Sequence, residues 1–157
     1  MTIPEKLKVL EAIAGKLNEE KITWGIGASL LLYFKGISPD FNDIDMMVIP
    51  EDAQRVKDIL CSMGELLPAK PDGKYRTRHF YEFVIDGVDI DVLGGFRIVT
   101  DGIEYDCPFT SASIQEYCDL NGTSIPLQSV SDWRRFYELM GRDRKVRMID
   151  DHAREQN

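Results

Sequence analysis

The sequence predicts an α+β fold, a mixed β-sheet with helices packed on it, and three observations carry that prediction. Apolar residues recur at helical spacing over residues 3–18 and again in the last quarter of the chain. Between these ends lie short runs that alternate or turn wholly apolar, as strands entering a core do. Two junctions carry Asp86-Gly87 and Asn121-Gly122, dipeptides suited to a two-residue hairpin turn.

Each element follows from its residues. The first helix spans residues 3–18, with Leu7, Leu10, Ile13, Ala14 and Leu17 as its apolar stripe. Thr2 and Glu5 have capping-box spacing, and Pro4 fits the first turn, where a missing N–H costs nothing. Residues 22–26 form a short strand ending at Gly27. Residues 28–35, rich in leucine, form a buried helix closed by Gly36. A turn-rich loop, 37–42, leads into a strand over 43–49. Pro50 then opens a helix whose first turn holds Glu51 and Asp52, where the helix dipole favours anions. Ala53, Val56, Ile59, Leu60 and Met63 form its stripe, and Gly64 is its stop signal. Residues 78–85 and 88–93 pair around Asp86-Gly87, and 96–99 and 103–105 continue as strand. A second hairpin, 114–127, turns at Asn121-Gly122. Ser131 is placed to cap a helix carrying Trp133, Phe136, Tyr137 and Met140 and ended by Gly141. A weakly apolar surface helix follows over 142–154. We expect one domain over 1–157, with a core over about 20–110 and a hairpin and helical tail over 111–157.

Composition narrows the function classes. The chain has 27 acidic and 19 basic residues, a formal charge of -8. Gripping duplex nucleic acid needs clustered Lys and Arg, so that role is disfavoured. Residues 130–157 hold seven basic against six acidic groups, so the acidic excess lies upstream. Cys61, Cys107 and Cys118 are odd in number and widely spaced, which suits a reducing cytoplasm rather than a disulfide framework or zinc site. The N-terminus has no basic segment followed by an apolar core, and no run of about 18 apolar residues occurs. Neither secretion nor membrane spanning is expected.

The acids of interest form two DxD pairs on short strands, Asp43-Ile44-Asp45 and Asp89-Ile90-Asp91. Side chains two apart on a strand face the same way, so each pair projects two carboxylates from one face. Carboxylates this close share a proton or bind a cation, and hard oxygen ligands suit Mg²⁺, Mn²⁺ or Ca²⁺. No calcium-loop ladder is present. One DxD reads easily as a solvated strand end. Two embedded among apolar residues do not, because Asp disfavours strands. Upstream, Gly25-Ile26-Gly27-Ala28-Ser29 sits at a strand-to-helix junction. Alone it reads as a corner at Gly27 with Ser29 as a cap. Helix N-termini also bind phosphate, and small residues let it approach.

In that order these residues resemble the nucleotidyltransferase fold of the DNA polymerase β superfamily, in its small aminoglycoside/lincosamide-type or minimal branch. The family pattern is a glycine-containing turn opening a helix, DxD on the next strand and a third Asp on a later one. Here those are Gly27-Ala28-Ser29, Asp43-Ile44-Asp45 and Asp91, with Asp89 as the alternative third carboxylate. The likeness covers about residues 20–95, and a looser one continues over 129–150. Two departures stand out: Gly27-Ala28 replaces the common Gly-Gly or Gly-Ser, and loop 37–42 has no Arg. The resemblance implies transfer of NMP from a nucleoside triphosphate such as ATP to a hydroxyl. Mg²⁺ or Mn²⁺ would be held by Asp43, Asp45 and Asp91 or Asp89, Asp91 would help deprotonate the hydroxyl, and Gly27, Ala28 and Ser29 would cradle phosphate. The departures motivate an alternative, a catalytically inactive nucleotide-sensing or protein-interaction module on the same fold.

Other residues carry weaker signals. Lys70, Lys74, Arg76 and Arg78 cluster around Asp72-Gly73. They read as a solvated hairpin approach or as a basic lip for the triphosphate or an anionic acceptor, with Arg78 the strongest member. His79 alternates to the other face and reads as structural. The Trp133, Phe136, Tyr137, Met140 stripe reads as core rather than a base-stacking platform. The Arg134-Arg135 pair and the 142–147 run read as a solvated face. The expected partners are a nucleoside triphosphate and a hydroxyl acceptor that the sequence does not name. An acidic surface would suit a cationic small molecule. A homodimer completing the cleft is compatible with so short a chain.

Overall fold

The computed structural model describes residues 1–70 and 76–156. Helix α1 (Ile3–Glu19) starts where Thr2 and Pro4 place it, with the Glu5 N–H donating to Thr2 Oγ1 at 3.2 Å. It buries Val9, Leu10, Ile13, Ala14 and Leu17. At its far end Asn18 fastens it to two strands, accepting from Trp24 Nε1 at 3.0 Å and donating to the Ser124 carbonyl at 2.9 Å.

Strand β1 (Trp24–Ile26), helix α2 (Ala28–Phe34), strand β2 (Ile44–Val48) and helix α3 (Ala53–Cys61) follow, with one 3₁₀ turn at Pro50–Asp52. Gly64 does not act as the stop for α3. The helix ends at Cys61, and Gly64 lies outside the left-handed region. A Cβ there would stand 2.5 Å from the Val84 carbonyl oxygen, so the position is small because a strand passes against it.

Beyond it lie β3 (Glu65–Leu66), β4 (His79–Ile85), β5 (Val88–Gly94), β6 (Arg97–Thr100), β7 (Ile103–Asp106), β8 (Ile114–Leu120), β9 (Thr123–Gln128), α4 (Val130–Leu139) and α5 (Asp143–Glu155). Both expected hairpin turns have positive φ at both central residues: +48° and +79° at Asp86-Gly87, +52° and +89° at Asn121-Gly122. That is the backbone a two-residue turn with strand-matching twist requires. Asp101-Gly102 is a third turn of this kind, at +52° and +76°.

Among the described residues the main sheet has the order β3-β4-β5-β2-β1-β9-β8, and β6 and β7 form a separate ribbon. Pairs β2–β5 and β1–β9 are parallel and the others antiparallel, so the sheet is mixed as expected. Pleating places Ile44, Met46 and Val48 on one face with Ile90, Val92 and Gly94. Helix α3 covers this face, with Ala53 3.4 Å from the Cβ position of Gly94. Helix α1 packs beside α3 and against β9. The opposite face carries Asp45, Asp91 and Leu93, overlooked by α4 and the start of α5.

The C-terminal helices are docked more firmly than their composition suggests. Ser129, not Ser131, caps α4, accepting from the Asp132 N–H at 3.0 Å. Strand β9 runs to Gln128, so the helix starts at once and Ser131 falls inside it. The Arg134 guanidinium donates to both oxygens of Asp150, at 2.7 and 3.0 Å, fastening α5 to α4. Ile149 of α5 is buried. The β6–β7 ribbon joins α4 through the Thr100 hydroxyl, which donates to the Leu139 carbonyl. The three cysteines are free thiols. Among the described residues no helix is long and apolar enough to cross a membrane.

Candidate active site

The site grows from the parallel pairing of β2 with β5. Asp45 stands directly opposite Asp91 in register, and both face away from α3. Their carboxyl groups lie within reach of one another, and a hydrogen bond between them needs one to carry a proton. Burial raises the Asp45 carboxyl well above its ordinary value, and the charge of Asp91 adds to the effect. Burial, then Asp43, push Asp91 from 3.8 up to about 6. Asp43, at the mouth of β2, is raised by burial and by Asp89. Asp89 lies one pleat from Asp91 and is exposed, so the register brings Asp91, not Asp89, beside Asp45.

A fifth carboxylate joins them. Glu82 on β4 pairs with Asp91 of β5, so Asp45, Asp91 and Glu82 form a row across three adjacent strands. Its charge raises both Asp43 and Asp91. Sequence reasoning passed over Glu82 because a lone acid in an alternating strand reads as solvent-facing. Its partner is fixed by β4–β5 register, which counting outward from the Asp86-Gly87 turn could have supplied.

The small-residue turn abuts this row. The Gly27 N–H donates to the Asp45 carbonyl at 3.2 Å, which ties the turn to the acidic strand. Gly27 itself is not an open cradle. A Cβ there would lie 2.4 Å from Trp133 Nε1, so the missing side chain makes room for an indole. That indole is held by a 2.8 Å hydrogen bond to the buried Gln128 side chain. Ala28, the first residue of α2, has φ +53°, a left-handed conformation that disfavours a Cβ. Gly27 occupies the cap position, so Ser29 is not the cap and its side chain faces the cleft.

The cleft measures about 550 Å³. Ala28, Ser29, Asn42, Asp43, Asp45 and Asp91 line one side. Phe80, Leu93, Phe96, Trp133 and Tyr137 supply apolar surface, and Arg142 and Lys145 supply positive charge. The α4 stripe therefore serves twice. Trp133, Phe136 and Tyr137 are buried as core, while Trp133, Tyr137 and Met140 also wall the cleft. Lys145 likewise leaves the solvated face expected of its segment. Arg78 is exposed and does not line the cleft; Lys70 and Thr77 do. Lys74 and Asp72-Gly73 lie outside the described residues.

Lys6 of α1 braces the loop before β2. Its Nζ donates to the Phe41 and Asn42 carbonyls, both at 3.1 Å, and sits 5.3 Å from the Phe41 ring centre. Its charge opposes the rise at Asp43. Nothing in the helical periodicity of residues 3–18 marks this role, because it depends on a contact 35 residues away.

Among the described residues no three His, Cys, Asp or Glu side chains are gathered as a ready-made metal cluster. The donors are nonetheless of the kind a hard divalent cation takes: carboxylate oxygens, two of them side by side in register. A cation bound there would offset the burial cost and the mutual repulsion that raise all three carboxyls. The residues present fit Mg²⁺ or Mn²⁺ in that sense.

No family model and no curated protein sequence matches the chain. Solved structures do. A Thermotoga maritima protein provisionally described as a nucleotidyltransferase superposes with a TM-score of 0.76 at 26% identity, over 99% of this chain and 96% of that one. ANT(2'')-Ia in complex with adenylyl-2''-tobramycin gives 0.63 at 12% identity, over 95% and 90%. The lincosamide antibiotic adenylyltransferase LnuA, bound to lincomycin, gives 0.57 at 15% identity, over 87% and 86%. The fold expected from the glycine turn and the DxD strands is thus the one observed, that of the nucleotidyltransferases.

Proposed function

We propose that this chain transfers a nucleotidyl group from a nucleoside triphosphate to the hydroxyl of an acceptor. The observation that carries the reading is the in-register Asp45–Asp91 pair, beside Asp43 and hydrogen-bonded through the backbone to the Gly27 turn. The likeness to nucleotidyltransferases supports it.

Asp43, Asp45 and Asp91 would hold divalent cations, which neutralise phosphate charge and acidify the attacking hydroxyl. The residues of the chain do the rest. Ala28 and Ser29 at the start of α2 line the cleft, where the Ser29 hydroxyl and the first N–H groups of the helix would donate to phosphate oxygens. Asp91 lines the cleft beside Asp45 and would accept the acceptor's proton. The acceptor oxygen bonds to the α-phosphorus, the bond to the bridging oxygen breaks, and pyrophosphate leaves. Phe96, Trp133 and Tyr137 exclude water from one side of the cleft.

The test is label transfer. The full chain is incubated with each α-labelled nucleoside triphosphate, Mg²⁺ or Mn²⁺, and acceptors including tobramycin, lincomycin and RNA. Labelled product with released pyrophosphate is expected, and Asp43→Asn should abolish it. Transfer that survives Asp43→Asn overturns the assignment. A chain that gives no calorimetric heat with Mn²⁺ and a non-hydrolysable triphosphate, and labels nothing, is instead the inactive module. That among the described residues no three such ligands are gathered as a ready-made cluster favours that second reading.

A further inference from the structure

Among the described residues the main sheet has one blunted edge and one open edge. At the first, β3 is two residues long and Pro68 follows two residues after it. Short strands and proline are common guards against pairing with another chain. At the other, β8 runs for seven residues, Ile114–Leu120, and contains neither lysine nor proline. A bulge between Ile114 and Glu116 kinks its start, and the register from Glu116 to Leu120 is regular. Its two acids are engaged within the chain. Lys35, at the end of α2, is ion-paired with Glu116, and the Asp119 carboxylate accepts from the Gly122 N–H at 3.4 Å.

Alternation along the hairpin decides which backbone groups this edge presents. Leu120 and Thr123 flank the two-residue turn and so exchange both ladder hydrogen bonds. Counting back along the register, the Cys118–Ile125 and Glu116–Leu127 pairs do the same, while Asp119–Ser124 and Tyr117–Pro126 do not. Pro126, which has no N–H, thus stands where β8 needs none. The N–H and carbonyl groups of Tyr117 and Asp119 therefore point away from β9, toward the open edge. Tyr117 is also the most exposed large hydrophobic side chain among the described residues, at 66%.

Tyr117 is the middle residue of β8. A second β8 laid antiparallel along the edge, about a twofold axis at Tyr117, pairs all seven residues. Any other register leaves one end unpaired. About this axis each Tyr117 exchanges two hydrogen bonds with its counterpart, and the two rings shield one another. Glu116 falls opposite Cys118, and Gln115 opposite Asp119. No carboxylate stands directly opposite a carboxylate, the arrangement that would oppose pairing. A strand that complements itself about its own centre fits a second copy of this chain.

We propose that the β8 edge is a dimer interface, at which two copies pair antiparallel about Tyr117 and join their seven-stranded sheets into one. Among the described residues none of β8 lines the cleft. Each copy keeps its own cleft, and the inference is independent of the transfer reading.

The experiment is sedimentation of the full chain between about 5 and 200 µM. A small strand-edge interface should give monomer at the low end and dimer at the high end. Tyr117→Lys places two like charges at the axis, and Tyr117→Pro removes an N–H that β9 does not use. Each should weaken association at least about tenfold. Ile103→Lys, on the exposed face of the β6–β7 ribbon, should leave it unchanged. Thermal unfolding verifies that each variant folds, and Tyr117→Lys carries the test if the proline variant does not. Cross-linking reads the register. In a Cys61→Ser background treated with diamide, Glu116→Cys should give a disulfide dimer through Cys118 of the second copy. The two positions form a non-hydrogen-bonded pair, with Cα atoms about 4.5 Å apart. Without Glu116→Cys, little covalent dimer should form, because Cys118 then faces a carboxylate. A chain that stays monomeric at about 200 µM overturns the proposal. So does association that Tyr117→Lys leaves unchanged. Cross-linking no faster with Glu116→Cys than without it overturns the pairing about Tyr117.

Discussion

Replacing Asp91 by Asn removes a negative charge that the folded chain accommodates poorly. Burial and Asp43 raise this carboxyl from 3.8 to about 6, and Glu82 stands opposite it on the neighbouring strand. Because the folded value lies above the unfolded one, the protonated group stabilises the fold fully below about pH 4. That contribution is lost as pH rises through about 6. At about 1.4 kcal/mol per pH unit, the full effect is near 3 kcal/mol. Asp91 is partly solvent-accessible and titrates together with Asp45, so about 1–2 kcal/mol is the realistic figure. At pH 7.5 the Asp91→Asn variant should therefore be more stable than the parent by that amount. For a chain of this length that is a melting temperature higher by roughly 3–6 °C. The assay is thermal unfolding by circular dichroism at pH 7.5 and pH 4.5, without divalent cations. The gain should shrink at pH 4.5, where the parent's Asp91 is already largely protonated. Adding Mn²⁺ at pH 7.5 should raise the parent's melting temperature and leave the variant's nearly unmoved. A variant less stable than the parent at pH 7.5, or a gain equal at both pH values, refutes the reasoning.

The remaining predictions concern the frame around the carboxylates. Ala28→Gly relieves a φ of +53° and should stabilise the fold by about 1 kcal/mol despite adding a glycine at a helix start, read by urea unfolding. Gly27→Ala sets a Cβ 2.4 Å from Trp133 Nε1, so it should cost about 1–3 kcal/mol and shift the tryptophan emission. Lys6→Met removes two hydrogen bonds to loop carbonyls and a charge near Asp43. It should cost about 1–2 kcal/mol and move the pH midpoint of Mn²⁺ binding upward, while Lys6→Arg restores most of both. Mn²⁺ affinity should rise with pH through about 6 as Asp91 gives up the proton that competes with the cation, followed by calorimetry.

Local chemistry was readable from the chain, and contacts between distant segments were not. The hairpin turns, the Thr2 cap and the leucine-rich α2 depend on neighbours within a few residues, and they stand where expected. So does the acidic pair, because alternation along a strand is a local rule. Which carboxylate meets Asp45 depends on the parallel register of β2 with β5, and that register is set by packing of the whole sheet. Glu82, Lys6 and Lys145 were missed or discounted for the same reason: each acts on residues far away in sequence. Gly64 and Gly27 were read as turn formers by the commonest use of glycine. Both are small because something large passes close by, a strand in one case and an indole in the other.

The locally unfavourable features of this chain are gathered in one place. Two carboxylates are raised by burial and by their neighbours' charge, and an alanine holds a left-handed backbone, both at a single cleft. Elsewhere the rules are kept: among the described residues no buried side-chain polar atom lacks a hydrogen bond. Each unfavourable feature is also held by stronger structure. Gly27 bonds to the Asp45 backbone, and Gln128 fixes Trp133. A purely structural domain would gain from substitutions as simple as Asp91→Asn or Ala28→Gly. Residues that cost stability and are yet rigidly positioned serve something other than the fold. If Asp91→Asn and Ala28→Gly both stabilise and only the first abolishes transfer, the carboxylates do chemistry and the strained turn supports the site. If neither stabilises, the cleft is not under strain, and the physical case for a reaction there is lost.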